Sequence, residues 1–119
     1  MWACRLAQRA PEDVDPAIRS AVAEMVLRSY AMQADGWEAG AREEDVLDPP
    51  LALRLNEIRC PTLVIVGEHD VADMRSIAAH VADSVDGARL VEVAGAAHLP
   101  SLERPDEVNA LLLAFLSDR

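Results

Sequence analysis

The sequence predicts an α/β chain: helices first, then a single β-α-β unit, then a terminal helix. Three observations carry that prediction. The run TLVIV at 62–66 is a continuous block of strand formers that stops at Gly67. A second short run, RLVEV at 89–93, follows an intervening stretch of helical periodicity. The last fifteen residues show apolar side chains at three-and-four spacing.

In chain order, Asp15-Pro16 is a helix start, because aspartate accepts from free first-turn N–H groups and proline has no donor left to satisfy. Ile18, Val22, Met25, Val26 and Tyr30 then recur on one stripe, which predicts a helix over 16–34. The acidic segment 35–50 holds Gly36, Gly40 and the pair Pro49-Pro50, with one possible helical turn at 37–46, and reads as a boundary. The division expected is a helical segment over 1–50 and an α/β part over 51–119. Leu51, Leu53, Leu55 and Ile58 fit either a short helix or an extended approach, and periodicity does not choose between them.

The strand at 62–66 is expected to be buried on both faces. Over 71–85, Met74, Ile77, Ala78, Val81 and Val85 lie on one side, and Arg75, His80 and Asp83 on the other, so the segment is an amphipathic helix. Gly87 ends it, and 89–93 forms the second strand, parallel to the first because a helix crosses between them. Pro105 opens the final helix, Asp106 and Glu107 suit its positive end, and Val108, Leu111, Leu112, Phe115 and Leu116 make its seam. Trp2, Trp37, Tyr30 and the methionines read as core or cap-lining residues rather than a cofactor box.

Composition narrows the function classes. The 119 residues are 51% hydrophobic but only 3% aromatic, so the core must be built from small aliphatic side chains. A net charge of -10 repels phosphate backbones and anionic lipid, which argues against nucleic-acid and membrane-surface partners. Cys4 and Cys60 lack the close spacing of a zinc site or a disulfide scaffold and are expected to be free thiols. With no basic flank and apolar run at the start, and no stretch of about 18 apolar residues, the expectation is a soluble, cytoplasmic protein.

The chemistry gathers at the ends of the two strands. In a parallel sheet the loops after the carboxyl ends share one edge, and neighbouring strands lie about 4.8 Å apart. Asp70, in GEHD, and His98, in GAAH, can therefore come within hydrogen-bond reach. An aspartate that accepts from one imidazole nitrogen leaves the other free as a base, which is the acid-and-base half of a nucleophilic triad. Asp70 could instead cap the following helix, with Asp73 competing for either job. His69 is expected to face away from the pair, His80 to lie on a solvated face, and Glu103 to cap the last helix or bond the His98 loop. A metal site drawn from His69, Asp70, Asp73 and His98 has chemically legitimate ligands, but no spacing selects a geometry.

The segment CPTLVIVGEHD, followed after a helix by GARLVEVAGAAHLPSLERPDEVNALLLAFL, resembles the C-terminal half of an α/β-hydrolase of the esterase and carbon–carbon-bond hydrolase type. The resemblance covers 55–116, and the first 50 residues are loosely similar to the end of that family's cap. It implies an incomplete doubly wound α/β-hydrolase sheet: a C-terminal βαβ unit plus terminal helix, preceded by cap-like helices. It also implies Asp70 as triad acid and His98 as triad base, in the family's order of nucleophile, acid, histidine. The activity implied is hydrolysis of a small-molecule ester or similar carbonyl-linked bond, with no cofactor.

The family's nucleophile occupies a G-x-S-x-G elbow, and one oxyanion donor comes from an earlier loop. None of Ser20, Ser29, Ser76, Ser84, Ser101 and Ser117 is flanked by such glycines. The expectation is thus a truncated hydrolase supplying Asp and His only. Its partner would be a complementary N-terminal half or a second copy of itself. The alternative is an inactive fragment or an interaction module of hydrolase ancestry.

Overall fold

The computed structural model describes residues 11–36 and 47–118. Cys4, Trp2, Trp37 and the possible turn at 37–46 lie outside the described residues. The first helix, α1 (Pro16–Gly36), starts where expected: the Ala17 N–H donates to Asp15 Oδ1 at 2.7 Å, so Asp15 satisfies a first-turn donor. Asp15→Ala should cost about 1 kcal/mol of local helix stability. Amide exchange in the first turn of α1 should then quicken about fivefold, the factor that this energy implies. Unchanged exchange would show that the cap contributes nothing.

The apolar stripe of α1 exists but is only partly covered. Ile18, Val22 and Val26 are half-buried, whereas Met25 and Tyr30 are more than half exposed. A helix hides its stripe only where another element packs on it, and spacing alone does not supply one.

Residues 51–58 form two 3₁₀ turns, Leu51–Leu53 and Leu55–Glu57. The Arg54 guanidinium grips the Glu57 carboxylate at 2.7–3.1 Å. Those hydrogen bonds hold the Glu57 carboxyl below its ordinary range and raise Arg54 above its own. The lowered carboxyl makes this contribution present above the ordinary carboxylate value and lost as pH falls through the folded one. Solvent contact at both side chains keeps the pair a minor contributor.

The strands β1 (Leu63–Gly67) and β2 (Arg89–Val93) pair in parallel, with Leu63 opposite Arg89 and Gly67 opposite Val93. The crossover is the helix α2 (Ala72–Ser84). Thr62 O and Val93 O extend the ladder at its two ends by accepting from Arg89 N at 2.9 Å and Glu68 N at 3.0 Å. A short helix α3 (Pro100–Glu103) and the final helix α4 (Pro105–Ser117) follow.

Burial departs from expectation along each of these elements. β1 is not buried on both faces: Leu63, Val64 and Ile65 are half-exposed, and only Val66 and Gly67 are enclosed. On α2 the covered face is Ala78, Val81 and Ala82, continued by Val85 just past its end, while Met74 is exposed and Ile77 is 53% exposed. On α4, Val108 is buried and Leu111 and Phe115 are partly covered, but Leu112 and Leu116 are exposed. One cause accounts for all three: a two-stranded sheet is too narrow to shield both its own faces and the full stripe of each helix laid on it.

What core there is lies at the carboxyl ends of the strands. Val93, Ala96 and Val108 form its centre, with Ile65 and Leu111 packed against them. These are the small aliphatic residues that the low aromatic content demanded.

Candidate active site

Gly67 ends β1, and a turn closed by Asp70 N donating to Gly67 O at 3.1 Å follows it at once. That turn delivers Asp70 to the sheet edge. Beyond β2, Ala96 N donates to Val93 O at 3.3 Å across a second turn, with Gly95 at φ 67°. Glycine enters this left-handed region without the penalty that a Cβ brings. The chain then passes through Ala96 and Ala97, which are 0% and 3% exposed, and presents His98.

The two turns press closely on each other. His69 N donates to Ala96 O at 2.8 Å. A Cβ at Gly67 would collide with Ala97 O and stand 2.6 Å from Ala96 O. Glycine at the end of a strand is the sequence signal for such backbone approach.

Asp70 and His98 meet. Oδ1 of Asp70 lies 2.9 Å from Nδ1 of His98, and the same oxygen accepts from Val71 N at 2.8 Å. The aspartate is 5% exposed, whereas the histidine side chain retains 32% exposure. A carboxylate can only accept, so the shared proton belongs to Nδ1 and the other ring nitrogen, Nε2, is left to act as a base. A buried anion against the ring also stabilises the imidazolium that such a base becomes.

The other candidate side chains lie apart from the pair. Asp73 stands exposed in the first turn of α2, and His98 pairs with Asp70 instead. Asp70 does not cap α2 in the usual way, since its acceptor bond goes to the adjoining Val71 N–H and Val71 holds the cap position. His69 turns its ring toward Glu68, Nε2 to Oε2 at 3.8 Å, and His80 is exposed on α2. Among the described residues no group of three or more His, Cys, Asp or Glu side chains is arranged to hold a metal ion. Cys60 is a free, exposed thiol.

Two carboxylates hold the His98 loop: Glu68, which the sequence did not single out, and Glu103, for which this was one of two expected roles. Glu68 Oε2 accepts from Gly95 N at 2.8 Å, and Glu103 Oε1 accepts from Ala97 N at 3.0 Å and Leu99 N at 3.1 Å. Of the two roles open to Glu103, the structure shows the bonds to the loop. All six serines lie within helices, two each on α1 and α2 and one each on α3 and α4.

A parallel strand pair with a crossover helix is consistent with part of an α/β fold, and the solved structures that this chain resembles are α/β-hydrolase fold enzymes. MenH from S. aureus is 31% identical over 59% of this chain, with a TM-score of 0.56. Est816, described as an N-acyl homoserine lactone degrading enzyme, is 38% identical over 56% of this chain, with a TM-score of 0.52. Both are α/β-hydrolase fold enzymes, and the chain spans 26% of the length of each. The family likeness read from the GEHD and GAAH segments is thereby borne out. No family model and no curated protein matches the chain. Among the described residues, no helix is long and apolar enough to cross a membrane.

Proposed function

We propose that this chain supplies the acid and the base of a Ser-Asp-His triad that hydrolyses a small-molecule ester or similar carbonyl-linked bond. The observation that carries the reading is the 2.9 Å contact between a buried Asp70 carboxylate and an accessible His98 ring. The likeness to Est816, whose described substrate is a lactone and hence a cyclic ester, supports the bond type. Residues 51–119 act as the C-terminal part of an incomplete doubly wound core, and residues 1–50 as a cap-like segment.

The nucleophile comes from an elbow serine on a segment outside these 119 residues. As the serine oxygen attacks the carbonyl carbon, His98 Nε2 takes its proton, and Asp70 steadies the resulting imidazolium. The tetrahedral intermediate collapses, His98 returns the proton to the leaving oxygen, and an acyl-serine remains. Water then attacks the acyl carbon with His98 again as base, and the acid is released with the serine restored. The residues described so far supply proton transfer, and the elbow half would add the nucleophile and the oxyanion donors.

The test is reconstitution. The chain joined to an N-terminal half bearing a G-x-S-x-G elbow should hydrolyse an activated ester such as a p-nitrophenyl acyl ester, and the chain alone should not. A well-folded assembly that shows no turnover would sink the reading.

One observation favours a second reading, an inactive interaction module. Ile77, Leu90, Leu112, Leu113 and Leu116 are exposed on α2, β2 and α4, and apolar surface of this kind serves association. Sedimentation separates the outcomes: self-association without gain of turnover on adding the elbow half supports the module.

A further inference from the structure

His98 sits in a loop whose neighbours are buried. With Ala96 and Ala97 enclosed, the peptide N–H groups around the histidine need partners within the protein, since water reaches them poorly. The two N–H groups that flank His98, those of Ala97 and Leu99, both donate to a single oxygen, Oε1 of Glu103, at 3.0 and 3.1 Å. Glu103 is itself held back toward this loop, because its own N–H donates to Leu99 O at 3.0 Å. The upstream side of the loop is tied down separately, through Gly95 N to Glu68 Oε2 and through Ala96 O to His69 N.

We propose that Glu103 is a positioning residue for His98, gripping the peptide on either side of the histidine so that Nδ1 is delivered to Asp70 Oδ1. The proposal rests on the Asp70–His98 pairing described above. Two hydrogen bonds converging on one acceptor oxygen fix both the position and the tilt of the peptide between them. The requirement is an acceptor oxygen at this reach. Glutamine retains the reach and a carbonyl oxygen. Aspartate retains the charge but withdraws it by one carbon–carbon bond, roughly 1.5 Å, and would leave both N–H groups unmatched.

The experiment uses the full chain, isotopically labelled, with NMR readout of two quantities: amide exchange at Ala97 and Leu99, and the downfield Nδ1–H proton of His98. In the unaltered chain and in Glu103→Gln, both amides should be protected and the Nδ1–H signal present. In Glu103→Asp the two amides should exchange about tenfold faster and the Nδ1–H signal should vanish, with protection of the β1–β2 ladder unchanged. The proposal is overturned if Glu103→Asp keeps the Nδ1–H signal, if Glu103→Gln loses it, or if Glu103→Asp loses ladder protection too, which would mark a general structural role. Asp70→Asn serves as the control for the pairing itself: it should abolish the Nδ1–H signal while Ala97 and Leu99 stay protected. A chain with no Asp70-dependent Nδ1–H signal lacks the pairing, and the positioning role falls with it. A signal that depends on Asp70 but not on Glu103 overturns the positioning role alone.

Discussion

Replacing His98 with alanine in the reconstituted hydrolase is expected to lower kcat by about a millionfold, the scale on which loss of a triad base acts in serine hydrolases. Asp70→Asn should cost about ten-thousandfold. The difference reflects the two roles. Without His98 nothing takes the serine proton, whereas the Asp70 amide can still touch the ring but favours the tautomer with its proton on the wrong nitrogen. The double substitution should be scarcely worse than His98→Ala alone, because the residues act as one unit. Steady-state turnover of an activated ester by the four proteins checks this, and substantial activity in His98→Ala would overturn the assignment of the base.

Gly67→Ala is expected to be strongly destabilising for a single added methyl. The added carbon would run into Ala97 O and stand 2.6 Å from Ala96 O, and both are backbone atoms with no rotamer to change. Typical overpacking costs about 1–3 kcal/mol, and a clash with main chain belongs at the upper end of that range. In a chain with so small a core this is a large share of the total stability, which for whole domains is only about 5–15 kcal/mol. Urea unfolding should show a markedly lower midpoint, and the resonances of Ala96, Ala97 and His98 should shift most. A midpoint equal to that of the unaltered chain would mean that the two turns have room to part.

Local sequence carried much of this architecture. Asp15-Pro16 announced the start of α1, the two β-branched runs announced a parallel pair, and GEHD and GAAH placed an acid and a histidine at one edge where they do meet. Features set by long-range contact were less legible. The stripe on α2 reads the same whether or not a neighbour covers it, so the exposure of Ile77 was invisible to periodicity. The segment 51–58 has too few residues to show a period, and it settles into two 3₁₀ turns. Glu68 looks like an ordinary surface acid, because the Gly95 N–H it accepts from is 27 positions away, whereas Glu103, close to the histidine in the chain, was legible as a residue that could bond the His98 loop, and it does. Gly67 gave a partial signal, a glycine at a strand end, without naming the carbonyls it makes room for.

The separation of 28 positions between Asp70 and His98 also bears on how the chain reaches its folded state. Neither residue can find the other until the whole crossover, α2 included, has closed and β2 has settled into register with β1. Closing a loop of that length is an entropic cost met before any of the contacts at the strand ends repay it. Formation of the Asp–His hydrogen bond is therefore a late event, and the downfield His98 proton doubles as a clock hand for completion of the sheet. Followed during refolding, it should rise with or after ladder protection and never ahead of it.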